Sequence, residues 1–345
     1  MLLLLSNLAP FINPAEFWPT ALLGLGFPFL LTINILLLIF WAYTKKWQLL
    51  IPLLAAILSY NNIDKIFSIK DPQKPSDKIL TINAMSYNVK NFDLYNWENN
   101  LDSKELIFKA IKKENPDIIA FQEFYTNRFA KEGKWDNVKH LREKMDYPHH
   151  YFEPKLIVKE SQQYGMAIFS KYPIVNKGSL KFEGSRTNGI IYADLLIESD
   201  TVRYFNVHLQ SIHLGKEDYQ VAEEINSIDL EGTKSIVKKL RNAFIKRSHQ
   251  SEVLLNEIKN SPYPIIICGD FNDTPISYAY NTIASKLTDA YKDAGVGFGG
   301  TYVGPLPSFR IDYFFTDEDI NVYDYQTINF KQSDHYPIRI SFYVN

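Results

Sequence analysis

PIIICGDFN, residues 264–272, joins an uncharged apolar run to a short polar motif. A short apolar run bounded by proline and glycine is typical of a buried strand, so Asp270 and Asn272 are expected just beyond a strand end. Cys268 is the chain's one cysteine, so it has no partner for an intramolecular disulfide and is predicted to be a small core residue. The stretch therefore predicts a buried sheet with polar side chains at one edge.

Five further polar motifs also follow or continue apolar runs. They are Ser86-Tyr87-Asn88, Gln122-Glu123, Asn206-Val207-His208, Arg310-Ile311-Asp312-Tyr313 and Ser333-Asp334-His335. Taken singly each is ordinary, because an Asn or Glu at a strand end is usually a turn or capping residue. Their combination favours a metal-assisted phosphoesterase.

The residue types suit the hydrolysis of a phosphate ester. The reaction needs a hard cation held by oxygen ligands, and Glu123 and Asn88 are candidate ligands for Mg²⁺, with Mn²⁺ as a substitute. It also needs a water deprotonated by a group that titrates near neutrality. His335 is the candidate base, and Asp312 is available to orient it.

Three more residues are candidates for contact with the reacting phosphate. His208 and Asn272 can donate hydrogen bonds to the phosphoryl oxygens as negative charge builds on them. Asp270 would then lie beside the attacking water.

The order of these motifs resembles the endonuclease/exonuclease/phosphatase superfamily, which includes pancreatic-type deoxyribonucleases, abasic-site endonucleases, neutral sphingomyelinases and inositol-polyphosphate phosphatases. The resemblance covers about residues 80–345. The resemblance implies that Asn88 and Glu123 bind Mg²⁺ and that Asp270 and Asn272 hold the nucleophile and the phosphate. It also implies that Asp334 is a further carboxylate of the metal or phosphate site. Asp312 would be the hydrogen-bonding partner of His335.

Two positions depart from parts of that superfamily. Abasic-site endonucleases carry a Tyr in the strand where this chain has His208, so the chain is more similar to the deoxyribonuclease and sphingomyelinase branches. Those endonucleases also have an acidic residue two positions after the Asn, where this chain has Lys90. A metal contact from that position is not expected.

Alternation of apolar and polar residues predicts an α+β domain. The expected strands are residues 79–89, 117–122, 165–170, 190–197, 202–209, 264–269, 311–316 and 337–344, and the expected helices are 103–114, 135–144 and one inside 230–259. Consecutive strands with few helices between them indicate two packed, mostly antiparallel sheets. The resemblance implies a four-layer α/β-β/α sandwich, preceded here by transmembrane helices.

The first sixty residues are predicted to be a membrane region. Residues 17–43 contain no charged side chain and exceed the ~20 residues that span a bilayer, and shorter apolar segments flank them on both sides. Two or three membrane segments are expected in residues 1–60, followed by a linker over 61–78 and the catalytic domain over 79–345. The chain is therefore expected to be an integral protein of the cytoplasmic membrane.

The orientation follows from the charges of the loops. Lys45 and Lys46 lie in a very short turn and favour its cytoplasmic side, which would place the catalytic domain outside the cytoplasm. Lysines also follow the last apolar segment, but aspartates are interleaved with them.

The substrate is left open between a nucleic acid and a phospholipid head group. The whole chain has a net charge of -2, and residues 1–60 contain two lysines and one glutamate, so the remainder carries -3, which is unlike a basic nucleic-acid-binding domain. A membrane tether favours a substrate found at the bilayer. Arg186 and Asn188 lie in a loop that could hold a phosphate or head group, although a surface turn explains them equally well.

A non-catalytic membrane scaffold on the same fold is the alternative function. A drifted binding module is expected to lose part of the site, whereas every candidate residue is present here. A membrane bilayer and a phosphodiester substrate are the expected partners, and no protein partner is predicted.

Overall fold

The computed structural model describes residues 1–70, 72, 74–76, 78–96, 102–182, 184–185, 187–212, 230–304 and 308–345. The chain divides into two compact units. The helical unit comprises Met1–Phe67, Gln210–Leu255 and Asn272–Ser285, and the sheet unit comprises Ser68–Leu209, Asn256–Phe271 and Lys286–Asn345. The units alternate along the chain, so the assignment of residues 79–345 to one catalytic domain stays a prediction.

The sheet unit contains all the strands of the described residues. In chain order they are β1 (Ser68–Ile69), β2 (Ile82–Asn88), β3 (Ile118–Thr126), β4 (His149–Val158), β5 (Gln162–Ser170), β6 (Ile174–Lys181), β7 (Gly189–Ile197), β8 (Asp200–His208), β9 (Ile265–Asp270), β10 (Thr288–Asp289), β11 (Val296–Gly297), β12 (Asp312–Thr316), β13 (Ile320–Thr327) and β14 (Ile338–Val344).

These strands form two six-stranded sheets and one short pair. The first sheet has the order β13-β14-β2-β3-β5-β4, and the second has the order β10-β12-β9-β8-β7-β6. Within each sheet one central pair is parallel, β2 with β3 and β8 with β9, and the other pairs are antiparallel. The prediction of two mostly antiparallel sheets is confirmed.

The helices are α1 (Leu2–Ser6), α2 (Pro14–Phe17), α3 (Pro19–Leu25), α4 (Phe27–Tyr43), α5 (Leu50–Leu58), α6 (Tyr60–Ile63), α7 (Ser103–Glu114), α8 (Asn137–Lys144), α9 (Leu230–Lys259), α10 (Tyr278–Ala284) and α11 (Ala290–Ala294). A single 3₁₀ turn occupies Trp47–Leu49, and Lys90–Asp93 and Lys131–Gly133 are short turns that contain residues of positive φ. The predicted helix 103–114 has the bounds of α7, and α9 fills the whole of 230–259.

The alternation of side chains along the strands builds two apolar layers in the sheet unit. Ile82 and Ala84 of β2 join Ile191 and Cys268 of the second sheet in the core between the sheets. Met85, one residue on, belongs instead to a layer that includes Ile107, Phe108 and Ile111 of α7. A helix layer, a sheet and a second sheet are thus established, and the fourth layer of the sandwich stays a prediction.

A polar bridge crosses the core between the two sheets. Asn206 of β8 is completely buried, and its side-chain amide donates to the backbone oxygens of Phe121 and Ala167 in the first sheet, at 2.9 and 3.0 Å. Its Oδ1 accepts a 2.7 Å hydrogen bond from Gln122, whose Nε2 also lies 3.2 Å from Ser86 Oγ. Buried amides are stable only when hydrogen-bonded, so this bridge fixes how the sheets align.

The predicted linker, residues 61–78, contains regular structure. α6 ends at Ile63, and Ser68 and Ile69 pair with Gly297 and Val296 as a two-stranded antiparallel sheet. The Ser68 backbone N–H also donates to the Tyr291 hydroxyl at 3.1 Å. The chain therefore enters the sheet unit well before β2.

The helical unit corrects the predicted continuous span over residues 17–43. Among the described residues, no single helix has both the length and the hydropathy of a membrane span, and α3 and α4 reach that threshold only as a pair bent by 61°. The bend lies at Gly26, which is outside both helices, and Pro28, the second residue of α4, has no N–H to donate. The flanking residues 1–12 and 47–60 form short helices.

α4 and α5 form an antiparallel hairpin in which the Asn34 amide donates to the Pro52 carbonyl at 2.9 Å. Large apolar side chains along it are exposed, among them Phe29, Ile33, Leu36, Ile39, Phe40, Leu50, Ile51, Leu54, Ile57 and Leu58. Its open end is packed, because Phe27 and Ala55 are buried with Leu3 and Ile276 in one apolar cluster.

Replacing Asn206 by Leu is expected to destabilise the fold. The substitution keeps the volume but leaves three buried polar groups without their partner, which should cost about 2–4 kcal/mol and lower the melting temperature by roughly 5–10 °C. Asn321→Leu is the matched control, because that amide bonds to Asn345 at the surface. Equal melting temperatures for the two variants would contradict a stabilising role for the bridge.

Candidate active site

Adjacent strands of the second sheet align three of the predicted residues in a row. His208 at the end of β8 is the register partner of Asp270 at the end of β9, and Asp270 is in turn the partner of Asp312 at the start of β12. Asn88 ends β2 of the first sheet. Its Nδ2 donates to Asp270 Oδ2 at 3.1 Å, so the edges of the two sheets meet here.

Gly269 permits the close contact between β8 and β9. Its φ is 135°, and a Cβ at this position would lie 2.0 Å from the backbone oxygen of Val207. Any side chain would therefore separate His208 from Asp270. The glycine of the Gly-Asp-Phe-Asn motif is required by the backbone and does no chemistry itself.

Glu123 reaches the site from an irregular point in β3. The register with β5 shifts between Phe121 and Phe124, and Glu123 has a φ of 50°, which is unusual for a residue with a side chain. A bulge redirects one side chain out of the alternating pattern. As a result Glu123 Oε1 lies 3.4 Å from Asn88 Nδ2 and 3.9 Å from His208 Nε2.

His335 and Asp312 form the predicted pair. Nδ1 of His335 lies 2.9 Å from Asp312 Oδ2, and Nε2 lies 3.7 Å from Asp270 Oδ2. Burial lowers the pKa of His335, but the carboxylates of Asp312 and Asp270 outweigh burial and raise this pKa well above its usual range. The raised pKa makes the imidazole a stronger base than a free histidine, and its second ring nitrogen, Nε2, faces Asp270.

Neighbouring loops fix this pair by hydrogen bonds. Thr301 Oγ1 accepts from the backbone N–H groups of Ile311 and Asp312 at 3.0 and 3.1 Å. Ser333 Oγ donates to the backbone oxygen of Asn88 at 2.8 Å, which attaches the Ser-Asp-His motif to the end of β2. Thr301 was not predicted from the sequence, because a lone threonine in a glycine-rich loop gives no signal.

The carboxylates are crowded enough to perturb one another. Burial, then the charge of Asp334, raises the pKa of Glu123 to about 7, and Asp270 adds to this effect. Carboxylate oxygens from Glu123 and Asp334 and the amide oxygen of Asn88 are the ligands that a hard divalent cation prefers. The donor set fits such a cation, because a positive charge would relieve the repulsion that raises this pKa.

Two details qualify the choice of ligands. Asn88 directs Nδ2 toward the carboxylates while its Oδ1 accepts from the Lys90 backbone N–H at 3.1 Å, so a half-turn of the amide is needed to present oxygen. Within the described part of the chain, one group of three buried metal-binding side chains has all its ligand atoms within 4.8 Å, namely Asp270, Asp312 and His335. Two members of that group, Asp312 and His335, are already hydrogen-bonded to each other.

Lys90 is the unpredicted member of the site. It begins a turn in which four successive residues, Lys90–Asp93, have φ between 44° and 56°, the left-handed region that is costly for side-chain-bearing residues. Its ammonium lies 3.3 Å from Asp334 Oδ2. The position that the resemblance left without a metal contact therefore places an ammonium group beside the carboxylate of Asp334.

The remaining candidates have different placements. Asn272 is half-buried with a φ of 53°, two residues beyond Asp270, and its contact with phosphate stays a prediction. Asn188 is buried, donates to the Leu209 backbone oxygen at 2.7 Å and bonds to Ser185 through its amide oxygen and backbone N–H. These bonds give Asn188 a structural role in the loop, and substrate binding by it stays a prediction. Arg186 lies outside the described residues.

Cys268 agrees with its predicted role as a core residue. It is completely buried in the core between the sheets, and burial raises the pKa of its thiol to about 12. The thiol is therefore unreactive at physiological pH.

Two family models match the chain. The model of the Endonuclease/Exonuclease/phosphatase family matches residues 85–335, and that of a domain of unknown function, DUF8431, matches residues 1–66. No curated protein matches the chain. The first match includes every candidate site residue described above.

Solved structures share the fold at low identity. An endonuclease/exonuclease/phosphatase from Beutenbergia cavernae is 17% identical with a TM-score of 0.56, over 77% of this chain and 72% of that one. The human Nocturnin catalytic domain with bound sulfate is 19% identical with a TM-score of 0.53, over 81% and 96%. D. rerio TDP2 complexed with a single-strand DNA product is 15% identical with a TM-score of 0.53, over 76% and 98%.

Replacing Lys90 by Gln is expected to strengthen the binding of a divalent cation. Removing a positive charge beside Asp334 removes its repulsion of the ion, which should lower the Mn²⁺ dissociation constant roughly tenfold in calorimetric titration. Lys171→Gln is the matched control, because Lys171 forms a similar 3.1 Å pair with Asp117 away from this site. An unchanged Mn²⁺ affinity in Lys90→Gln would show that the cation does not bind near Asp334.

Proposed function

Because the chain belongs to the Endonuclease/Exonuclease/phosphatase family of phosphoric ester hydrolases, we propose that it is a membrane-anchored, Mg²⁺-dependent phosphodiesterase. The observation that carries the proposal is the convergence of side chains around Asp270. Its Oδ2 lies 3.1 Å from Asn88, 3.7 Å from His208 and 3.7 Å from His335, and residues from both sheets contribute. A non-catalytic scaffold has no need of such an arrangement.

The pair of His335 and Asp312 supplies the proton chemistry. Asp312 holds Nδ1, so Nε2 is the nitrogen that takes a proton from water. Asp270, 3.7 Å from Nε2, accepts a hydrogen bond from that water and keeps it beside the base. Two carboxylates around one imidazole favour the protonated form, and this raises its strength as a base.

Charge that develops on the phosphate meets donors on the other side of Asp270. His208 is buried and next to Asp270 in register, and its imidazole donates to a phosphoryl oxygen. Asn272 provides a second donor from the segment that continues β9. Glu123, Asn88 and Asp334 would hold the divalent cation, which when bound neutralises the phosphoryl oxygens and the leaving group.

A phosphodiester in a nucleic acid or in a phospholipid head group is the proposed substrate. The fold shared with D. rerio TDP2, which is complexed with a single-strand DNA product, supports the nucleic acid. The net charge of -3 after residue 60 and the apolar hairpin support the lipid. The same catalytic groups could hydrolyse either substrate, since each contains a phosphodiester with an alkoxide leaving group.

The exposed hairpin of α4 and α5 supports membrane anchoring. At 1.5 Å per residue, the 17 residues of α4 extend about 25 Å, close to the ~30 Å hydrocarbon thickness of a bilayer. Large apolar side chains exposed to water on this scale are unfavourable unless another apolar phase covers them. The hairpin inserts from one side, because both of its ends meet in the cluster of Phe27, Ala55 and Ile276.

The orientation follows from the tip of that hairpin. Lys45 and Lys46 lie at the turn, and the positive-inside rule places such a turn on the cytoplasmic side. Lys46 also lies over the Trp41 ring, at 5.9 Å, as interfacial side chains do. The rest of the chain then lies outside the cytoplasm, attached to the cytoplasmic membrane.

His335→Ala in the full-length protein is expected to reduce Mg²⁺-dependent hydrolysis about 10³-fold, because the water loses its general base. Release of products from plasmid DNA and from mixed phospholipid vesicles is the measurement. His249→Ala is the control, since that histidine is 61% exposed on α9. Hydrolysis of DNA alone would identify a nuclease, and head-group release alone a phospholipase. Equal turnover by the His335 and His249 variants would exclude this assignment.

Ser76→Cys in a Cys268→Ala background is expected to react with a membrane-impermeant maleimide in intact cells. Ser76 is exposed and precedes the sheets, so it shares their side of the membrane. Thr44→Cys, at the hairpin turn, is the matched variant and should react only after lysis. The reverse pattern would place the catalytic residues in the cytoplasm, and labelling of both in intact cells would exclude an inserted hairpin.

A further inference from the structure

α9 holds the two chain segments that leave the active-site strands. Arg247 is almost completely buried in the helical unit, where its Nε donates to Asp273 Oδ2 at 2.9 Å and its Nη1 donates to the Gln210 backbone oxygen at 3.0 Å. Gln250 Oε1 accepts from the Gln210 backbone N–H at 2.8 Å. Gln210 follows His208 by two residues and Asp273 follows Asp270 by three, so one helix anchors both segments.

The N-terminal helices support the same loop from its other end. Ile276 is buried in the cluster with Leu3, Phe27 and Ala55. Gly24 of α3 lies directly against its backbone, because a Cβ on Gly24 would be 2.3 Å from the Ile276 backbone oxygen. Only a glycine allows this approach. The loop of residues 272–277, the Asn272 loop, is thus fixed at Asp273 by α9 and at Ile276 by α3.

A carboxylate connects these supports. Glu252 Oε1 of α9 accepts hydrogen bonds from Asn13 Nδ2 at 2.9 Å and from the Tyr278 hydroxyl at 3.0 Å. Asn13 precedes α2, and Tyr278 begins α10 immediately after the Asn272 loop. Lys65, beyond α6, lies over the Tyr280 ring at 5.4 Å. The N-terminal region therefore reaches α10 in two ways, from Asn13 through Glu252 of α9 and from Lys65 directly.

We infer that the N-terminal helices position the catalytic Asn272 loop, through the contact of Gly24 with Ile276, and are more than a membrane tether. The inference rests on the proposed function for the role of Asn272 in the reaction. Asn272 has a left-handed backbone and lies four residues before Ile276, so a displacement of Ile276 is transmitted along a short, constrained segment. A shift of about 1 Å in a reacting group can lower turnover as much as 100-fold.

Gly24→Ala in the full-length protein, reconstituted in lipid nanodiscs, tests this positioning role. The new Cβ would lie 2.3 Å from the Ile276 backbone oxygen and 2.7 Å from the Ala9 Cβ, so the close contact of α3 with the Asn272 loop has to open. We therefore expect kcat to fall about tenfold or more while KM and the Mn²⁺ dissociation constant stay within twofold. Backbone amides of the Asn272 loop should also exchange hydrogen faster. Gly26→Ala is the matched control, because its Cβ would approach only the backbone oxygens of Leu22 and Leu23 in the preceding helix α3, at 3.3 Å or more.

Ile276→Val is the second variant and covers the case in which Gly24→Ala does not fold. It removes one methyl group from the apolar cluster of Ile276 with Leu3, Phe27 and Ala55 and introduces no clash. A few-fold loss of kcat with unchanged Mn²⁺ affinity is expected. Unchanged kcat and unchanged exchange in the folded variants would overturn the inference. If the parent protein hydrolyses none of the substrates, the proposed function fails by itself, and the exchange rates of the Asn272 loop still decide whether Gly24 positions it.

Discussion

The close approach of β8 and β9 at Gly269 is the constraint on which the site depends. Because no side chain fits between Gly269 and the Val207 backbone, the two parallel strands stay in a register that sets His208 beside Asp270. The next strand then sets Asp312 beside Asp270, and Asp312 orients His335. Backbone geometry thus brings together groups that are distant in sequence.

That geometry crowds several carboxylates together, and a lysine offsets part of their mutual repulsion. Burial is the largest cause of the raised Glu123 pKa, and the neighbouring carboxylates add to it; the carboxylates around His335 raise its pKa against the effect of burial. Lys90 contributes one positive charge beside Asp334, held there by a strained left-handed turn. Strain of this kind persists where the surrounding structure enforces it, which is common at functional sites.

The strands that the sequence did not predict are all at sheet edges. The eight predicted strands, including β2, β3, β8 and β9, lie inside the sheets or end with a site motif, so their apolar runs are long and buried. β4, β6 and β13 each form a sheet edge, where half-exposed side chains leave no clear alternation. Edge strands often lack the apolar pattern from which strands are predicted.

The site was predictable in its residue types and less so in its contacts. Gly269 and the motif order located Asp270, Asp312 and His335, because glycine and strand ends have a local signature. Nothing local predicts the pairing of Lys90 with Asp334, since it joins residues at opposite ends of the sheet unit's sequence. The bend at Gly26 in the predicted span was likewise not evident from the sequence. Hydropathy shows how many successive residues are apolar, but it does not show whether the helix they form is straight or bent.

The helical unit combines helices that expose apolar side chains with a helix that buries polar ones. α4 and α5 expose apolar side chains along most of their length, whereas α9 buries an arginine, a glutamine and two serines, which have polar partners. A helix that is apolar on every face needs an apolar phase, and a buried guanidinium needs fixed acceptors. Ile276 lies where these requirements meet, since its side chain joins the apolar cluster and its backbone continues the polar loop. A short segment that satisfies both has little freedom to move, and such rigidity suits the proposed role of Asn272 as a donor to the phosphate.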